Sequence, residues 1–223
     1  MNKLNCIEKY TFLFVFYVLT LGILISFIDE SAFRSVYVRE DGLVETLTVI
    51  MLLIGSAVCF RRIFKLRSSK PKWFLVCTGI LALILIFGAG EEISWGQRLI
   101  KDRHINTYFQ QNNAQGETNL HNLKFNGKSV NKIIFGTGLS IFLVFYLLLF
   151  PYLYRLKFGF KRFIDSFAIP LAQRHQVLFY LFLFLASFLI NSSKKSEILE
   201  FGGTCIFLMI IMFPLNKDIF EED

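Results

Sequence analysis

The sequence predicts an all-α fold: a polytopic transmembrane helical bundle of about six spans with both termini cytoplasmic. Three observations carry this. Hydrophobic residues make up 54% of the 223 residues and charged ones 18%, and 27 residues are Phe. A water-soluble core of this size cannot hide that much apolar surface, and the mean hydropathy is +0.53. Long uncharged stretches recur along the chain, and the Lys and Arg residues cluster between them as in membrane-flanking loops.

The first span is expected over 10–28. Its apolar part exceeds the ~7–15 residues of a cleavable signal, and no A-x-A-like site follows, so it reads as a retained signal anchor. The second, 42–60, is interrupted only by Glu45 near its start. The third, 73–98, ends in a polar string and leads into an extracytoplasmic polar loop, 99–132. The fourth covers 133–154. Two weaker spans follow, 175–193 and 196–216, the last carrying Glu197 and Glu200 in its first turn. The segment 163–173, with Pro170, reads as an interfacial or re-entrant piece. No repeat or low-complexity linker divides the chain, so 1–223 reads as a single transmembrane domain.

Charge gives the orientation. With the N-terminus inside, the inner segments hold 14 of the 24 Lys and Arg residues but six of the 17 Asp and Glu, a net of +8 against −1 outside. The short loop 61–72 contributes most, and the positive-inside rule weights short loops most heavily. The overall charge of +7 therefore belongs to loops. A basic face interleaved with aromatics is missing, so the expected partner is the lipid bilayer and not a nucleic acid. Cys6, Cys59, Cys77 and Cys205 form no C-x-x-C pair or ligand spacing and read as small hydrophobes.

This topology gathers most of the informative residues on the extracytoplasmic side. Asp41 and Glu45 open the second span. The third ends Gly90-Glu91-Glu92-Ile93-Ser94-Trp95-Gly96-Gln97-Arg98; if it stays helical, Glu91, Ser94, Trp95 and Arg98 share one stripe. Glu117 and His121, four apart, lie in the loop with Asn122. Ionisable groups at membrane depth are costly unless paired, so they tend to mark function. Two adjacent carboxylates repel, and a raised carboxyl beside a His makes an acid/base pair. Glu91, Glu92, His121 and Glu45 are thus the candidate catalytic groups, with Arg98, Gln97, Glu117 and Asn122 as candidate substrate-binding groups. The same carboxylates and imidazole would suit a divalent metal, although the spacing names no cofactor. Against this stands a structural reading: Glu91 pairs with Arg98, the acidic residues suit the positive end of a helix dipole, and Trp95 and Trp73 form interfacial belts. His104 and His175 read as lying apart from the cluster.

The E-E-x-x-x-R motif of the CAAX-protease family of intramembrane glutamic proteases is not matched, because Gly96 stands at the Arg position and that family's two His motifs are missing. The strings G-E-E-I-S-W-G-Q-R over Gly90–Arg98 and N-x-Q-G-E-x-N-L-H-N over Asn113–Asn122 resemble an uncharacterised family of bacterial multi-span membrane proteins. That resemblance covers residues 39–125, includes Glu40, Asp41 and Glu45, and implies a bacterial inner membrane without naming an activity. The expected function is a membrane-embedded hydrolase or transferase acting on a lipid or lipid-linked substrate at the outer leaflet. The alternative is a non-enzymatic subunit (a sensor, a transport component or a membrane-perturbing defence effector). That reading implies a homo-oligomer or an operon-encoded partner.

Overall fold

The computed structural model describes residues 4–97, 112–113, 119–120, 124–125, 128–129 and 139–222. Most of these residues are helical, and a short antiparallel ladder pairs β1 (Lys124–Phe125) with β2 (Lys128–Ser129). Three helices are long and apolar enough to cross a membrane: α1 (Cys6–Ile28), α2 (Leu43–Leu66) and α3 (Lys72–Glu92). At 1.5 Å per residue each exceeds the ~30 Å hydrocarbon core. Four more helices follow: α4 (139–156), α5 (Phe158–Ser166), α6 (Arg174–Ser187) and α7 (Lys195–Met212).

Residue pairing fixes their directions. Gly88 meets Leu52, Gly55 meets Leu85 and Gly79 meets Ile63, so α2 and α3 form an antiparallel hairpin. Phe12 stacks on Phe179 and Phe16 on Phe182, which makes α1 and α6 parallel. α7 runs against both, with Gly202 between Val15 and Leu183 and Ile198 beside Gly22. It is also the most deeply buried helix: Phe201, Cys205, Ile206, Met209, Ile210 and Ile211 are almost fully enclosed. The outer faces of α1, α2 and α3 carry exposed Leu, Ile and Phe instead.

Local chemistry explains several helix ends. Asn5 caps α1, accepting from the Ile7 N–H at 3.0 Å while Glu8 Oε2 accepts from the Asn5 N–H at 3.2 Å, the reciprocal pattern of a capping box. Pro151 has no N–H to donate to Leu147, and α4 answers with a π-turn over Phe145–Leu149. α6 spans only 14 residues, about 21 Å. Before it, after a left-handed turn at Ala168, 169–172 is extended and largely buried, yet its backbone is satisfied. Asn216 Oδ1 accepts from the Leu171 N–H at 3.0 Å, Leu171 O from the Leu215 N–H at 2.7 Å, and Asn216 Nδ2 donates to Ile169 O at 3.0 Å. The Tyr146 hydroxyl donates to Pro170 O at 2.5 Å.

The first helix begins four residues earlier than expected, at Cys6, the second runs on to Leu66, and three others fall short. The third helix stops at Glu92 and does not reach 98; the fifth stops at Ser187, short of 193; the last stops at Met212, short of 216. In the fourth expected span, 133–138 lies outside the described residues. The segment 163–173 divides into the end of amphipathic α5 and the buried extended stretch.

One end of the bundle carries the α2–α3 turn and its basic residues. There Glu8, 3% exposed, lies 2.8 Å from His175 Nε2 and accepts from Gln176 Nε2 at 2.8 Å. Gln176 also donates to Met209 O and Phe213 O, so one amide joins α1, α6 and α7. Arg62 lies over the Phe220 ring at 4.1 Å and donates to Met212 O.

Candidate functional site

The opposite end carries the candidate residues. α3 ends there because Ser94, Trp95 and Gly96 all have positive φ, 48°, 54° and 76°. Only glycine enters that region freely, so two side-chain-bearing residues are held at a cost of about 1–2 kcal/mol each. The turn folds Trp95 back over α3. A Cβ on Gly90 would stand 2.9 Å from its indole carbons, so only glycine leaves room for the ring there. The indole Nε1 donates to Glu91 Oε1 at 2.8 Å.

Glu91 thereby becomes a latch. Its second oxygen accepts from the Leu120 N–H at 2.6 Å. Ser94 Oγ accepts from Asn119 Nδ2 at 2.9 Å, and Asn113 Nδ2 donates to Asn119 O and Oδ1 at 2.9 and 3.0 Å. The two polar strings of the sequence are therefore tied together through Glu91 and Ser94. The helical stripe of Glu91, Ser94, Trp95 and Arg98 does not form, since the helix ends first. Glu91 and Trp95 meet instead through the reversal of the chain.

Glu92 points elsewhere, as adjacent residues on a helix must, about 100° apart. It lies toward Glu200 on α7, with Glu45 of α2 and Glu197 of α7 close enough to act on its charge. Glu197 in turn feels Glu200, Lys194, Glu45 and Glu40, and Lys194 Nζ lies 3.4 Å from Glu40 Oε1. Glu45 reaches back to accept from the Asp41 N–H at 2.7 Å. Asp41 lies before the helix, so the two share a capping contact and not a helix face. Two carboxylates brought close together repel, and the repulsion is relieved when one of them holds a proton.

No family model matches the chain, and no curated protein or solved structure is similar to it.

Of the candidate residues, the structure brings Glu45 and Glu92 together and turns Glu91 toward the loop. Gln97 follows the left-handed turn and, like Glu45 and Glu91, engages further partners. Arg98, Glu117, His121 and Asn122 lie outside the described residues, as does His104. Among the described residues no three His, Cys, Asp or Glu side chains are arranged to hold a metal ion. His175 pairs with Glu8 at the other end. Sequence reasoning left Glu197 and Glu200 out of the site. The signal was available: in a six-span alternation the start of the last helix falls on the same side as Glu45 and Glu92.

The connection from α1 to α2 also folds inward. Phe33 is fully enclosed, and the Tyr37 hydroxyl donates to Val18 O at 2.7 Å. Burial, with the Tyr17 phenol nearby, pushes the Tyr37 hydroxyl up to about 12, so it stays a neutral donor.

Proposed function

We propose that the chain is a six-span protein of the bacterial inner membrane, with both termini cytoplasmic. In this reading its outer end acts as a hydrolase or transferase on a lipid or lipid-linked substrate, with Glu92 and Glu200 as the acid/base pair. The observation that carries it is the approach of Glu92 on α3 to Glu200 on α7, next to Glu91, which accepts from the Leu120 N–H. One carboxyl gives its proton to a leaving oxygen while the other, ionised, takes one from the nucleophile. Glu45 and Glu197 place two further carboxyls beside the pair, and Arg98 and His121 are the loop groups that would hold an anionic headgroup and share the proton.

Alternating helix directions and polar clusters at both ends support the six spans. The short α6 is compatible with them because the extended backbone before it is hydrogen-bonded inside the protein. The charge asymmetry supports the orientation, and the resemblance of the two polar strings supports the bacterial setting. A membrane-impermeant maleimide on single-cysteine variants at Ser68 and Ser193 tests topology. Labelling of Ser193 alone from outside intact cells is expected, and equal labelling of both overturns it.

Activity is tested with the full-length protein in vesicles of host lipid extract, following products by mass spectrometry. Glu92→Gln and Glu200→Gln are each expected to slow turnover by about 100-fold or more with folded yield and Tm retained. Unchanged turnover, or loss of folded protein in its place, overturns the assignment.

A further inference from the structure

The turn after α1 and the turn before α7 meet at the glutamate-bearing end. Between them is an open cleft of about 480 Å³ lined by Glu30, Ser31, Arg34, Ser35 and Lys194. Two long cationic side chains, two hydroxyls and one carboxylate thus border a space large enough for a small polar group with its first waters. Lys194 also touches Glu40 at 3.4 Å, which holds its ammonium at the cleft wall. Arg34 brings a planar fork of donors that matches a phosphate edge.

The two turns that supply the cleft also carry exposed apolar side chains. α1 ends in Phe27 and Ile28, 66% and 83% exposed, ahead of Asp29 and Glu30, and Val36, beside Ser35, is 73% exposed. At the end of α6, Phe188 and Leu189 are each 59% exposed, with Lys195 Nζ 4.5 Å above the Phe188 ring. A polar notch on a stretch of chain with exposed apolar side chains suits an amphiphile with a charged head and acyl chains. Basic pockets between transmembrane helices bind lipid headgroups.

We propose that this cleft seats the phosphate diester of a membrane phospholipid, with Arg34 and Lys194 on the phosphate and Glu30 facing the head alcohol. The Glu30 carboxylate gives the site a preference. It accepts from the N–H of ethanolamine or the O–H of glycerol, whereas choline offers no donor. Ser31 supplies its hydroxyl to a remaining phosphate oxygen, while the Ser35 O–H donates to Ser31 O at 2.7 Å and holds the turn. The inference rests on the membrane reading and is independent of the acid/base chemistry at Glu92 and Glu200.

The test uses the full-length protein, delipidated in detergent and titrated by native mass spectrometry. The probes are phosphatidylethanolamine, phosphatidylglycerol and phosphatidylcholine of equal chain length. Each basic residue near a lipid phosphate is worth about fivefold, so Arg34→Gln/Lys194→Gln is expected to weaken the first ethanolamine or glycerol lipid roughly 25-fold. Glu30→Ala is expected to erase the preference over choline lipid. All three side chains except half-buried Lys194 are exposed, so Tm should hold in both variants. Equal binding by wild type and the Arg34/Lys194 variant overturns the proposal, as does a wild type that binds choline lipid equally well. Displacement of the lipid by equimolar inorganic phosphate would assign the cleft to free phosphate and overturn the lipid reading. Failed lipid binding with correct maleimide labelling sinks this proposal alone; failed labelling sinks the membrane reading.

Discussion

Gly202→Ala is expected to cost about 1–3 kcal/mol of stability, the range for overpacking a filled core. A Cβ there would lie 2.6 Å from Leu183 Cδ2 and 3.1 Å from Val15 Cγ1, where α1, α6 and α7 meet. Leu183 is fully enclosed, so its methyls have little space to move into. The neighbouring Gly203 makes the contrast: its Cβ would meet the Tyr180 ring at 3.5 Å, an ordinary contact. Gly203→Ala is therefore expected to be neutral or to stabilise, since alanine favours helix by about 1 kcal/mol over glycine. Thermal unfolding in detergent checks both, and Leu183→Ala should recover part of the Gly202→Ala loss by vacating the space. Equal Tm values for the two glycine variants would refute the packing argument.

Glu91→Ala should release the outer loop. The carboxylate accepts from the Trp95 indole and the Leu120 amide; hydrogen bonds to a charged group contribute about 1.5–3 kcal/mol each. Their loss leaves the left-handed turn at Ser94 and Trp95 without its restraint. In a Trp73→Phe background, Trp95 is the only indole, so its emission reports the turn directly. A red shift and faster proteolysis between 98 and 138 are expected on Glu91→Ala, while Glu91→Gln, which retains one acceptor, should give a smaller change. Unaltered emission in Glu91→Ala would show that the turn is held by other contacts.

How far the sequence revealed this arrangement depends on what each signal measures. Hydropathy found α1, α2 and α3 because their outer faces are apolar and they run uninterrupted. It marked α6 and α7 as the weaker spans, and in α7 Glu197, Glu200, Gly202 and Gly203 depress an apolar average. Those same residues fit α7 for a central position, where glycine permits close approach and glutamate meets other helices instead of lipid. Apolarity also overstated α6, because Phe188, Leu189 and Ile190 are apolar in a turn as well as in a helix. The end of α3 was hidden: nothing but Gly96 hints at a left-handed turn, and serine and tryptophan seldom adopt one. The separation of Glu91 from Glu92 was legible in principle, as neighbours on a helix diverge. Which partner each would meet depended on Leu120 and Glu200, far away in the chain.

The central place of α7 has a consequence for biogenesis. Every other described α-helix precedes it in the chain and so leaves the ribosome first. Until α7 arrives, Val15, Leu183, Gly55 and Cys59 lack the surface they will share. The earlier helices must therefore wait in the bilayer as a loose, unfinished assembly, and the keystone is a helix whose own glutamates discourage it from entering lipid alone. Insertion of α7 and closure of the bundle then become one event. A ribosome stalled before Lys195 should leave a protease-sensitive intermediate, and release should convert it to the resistant form in a single step.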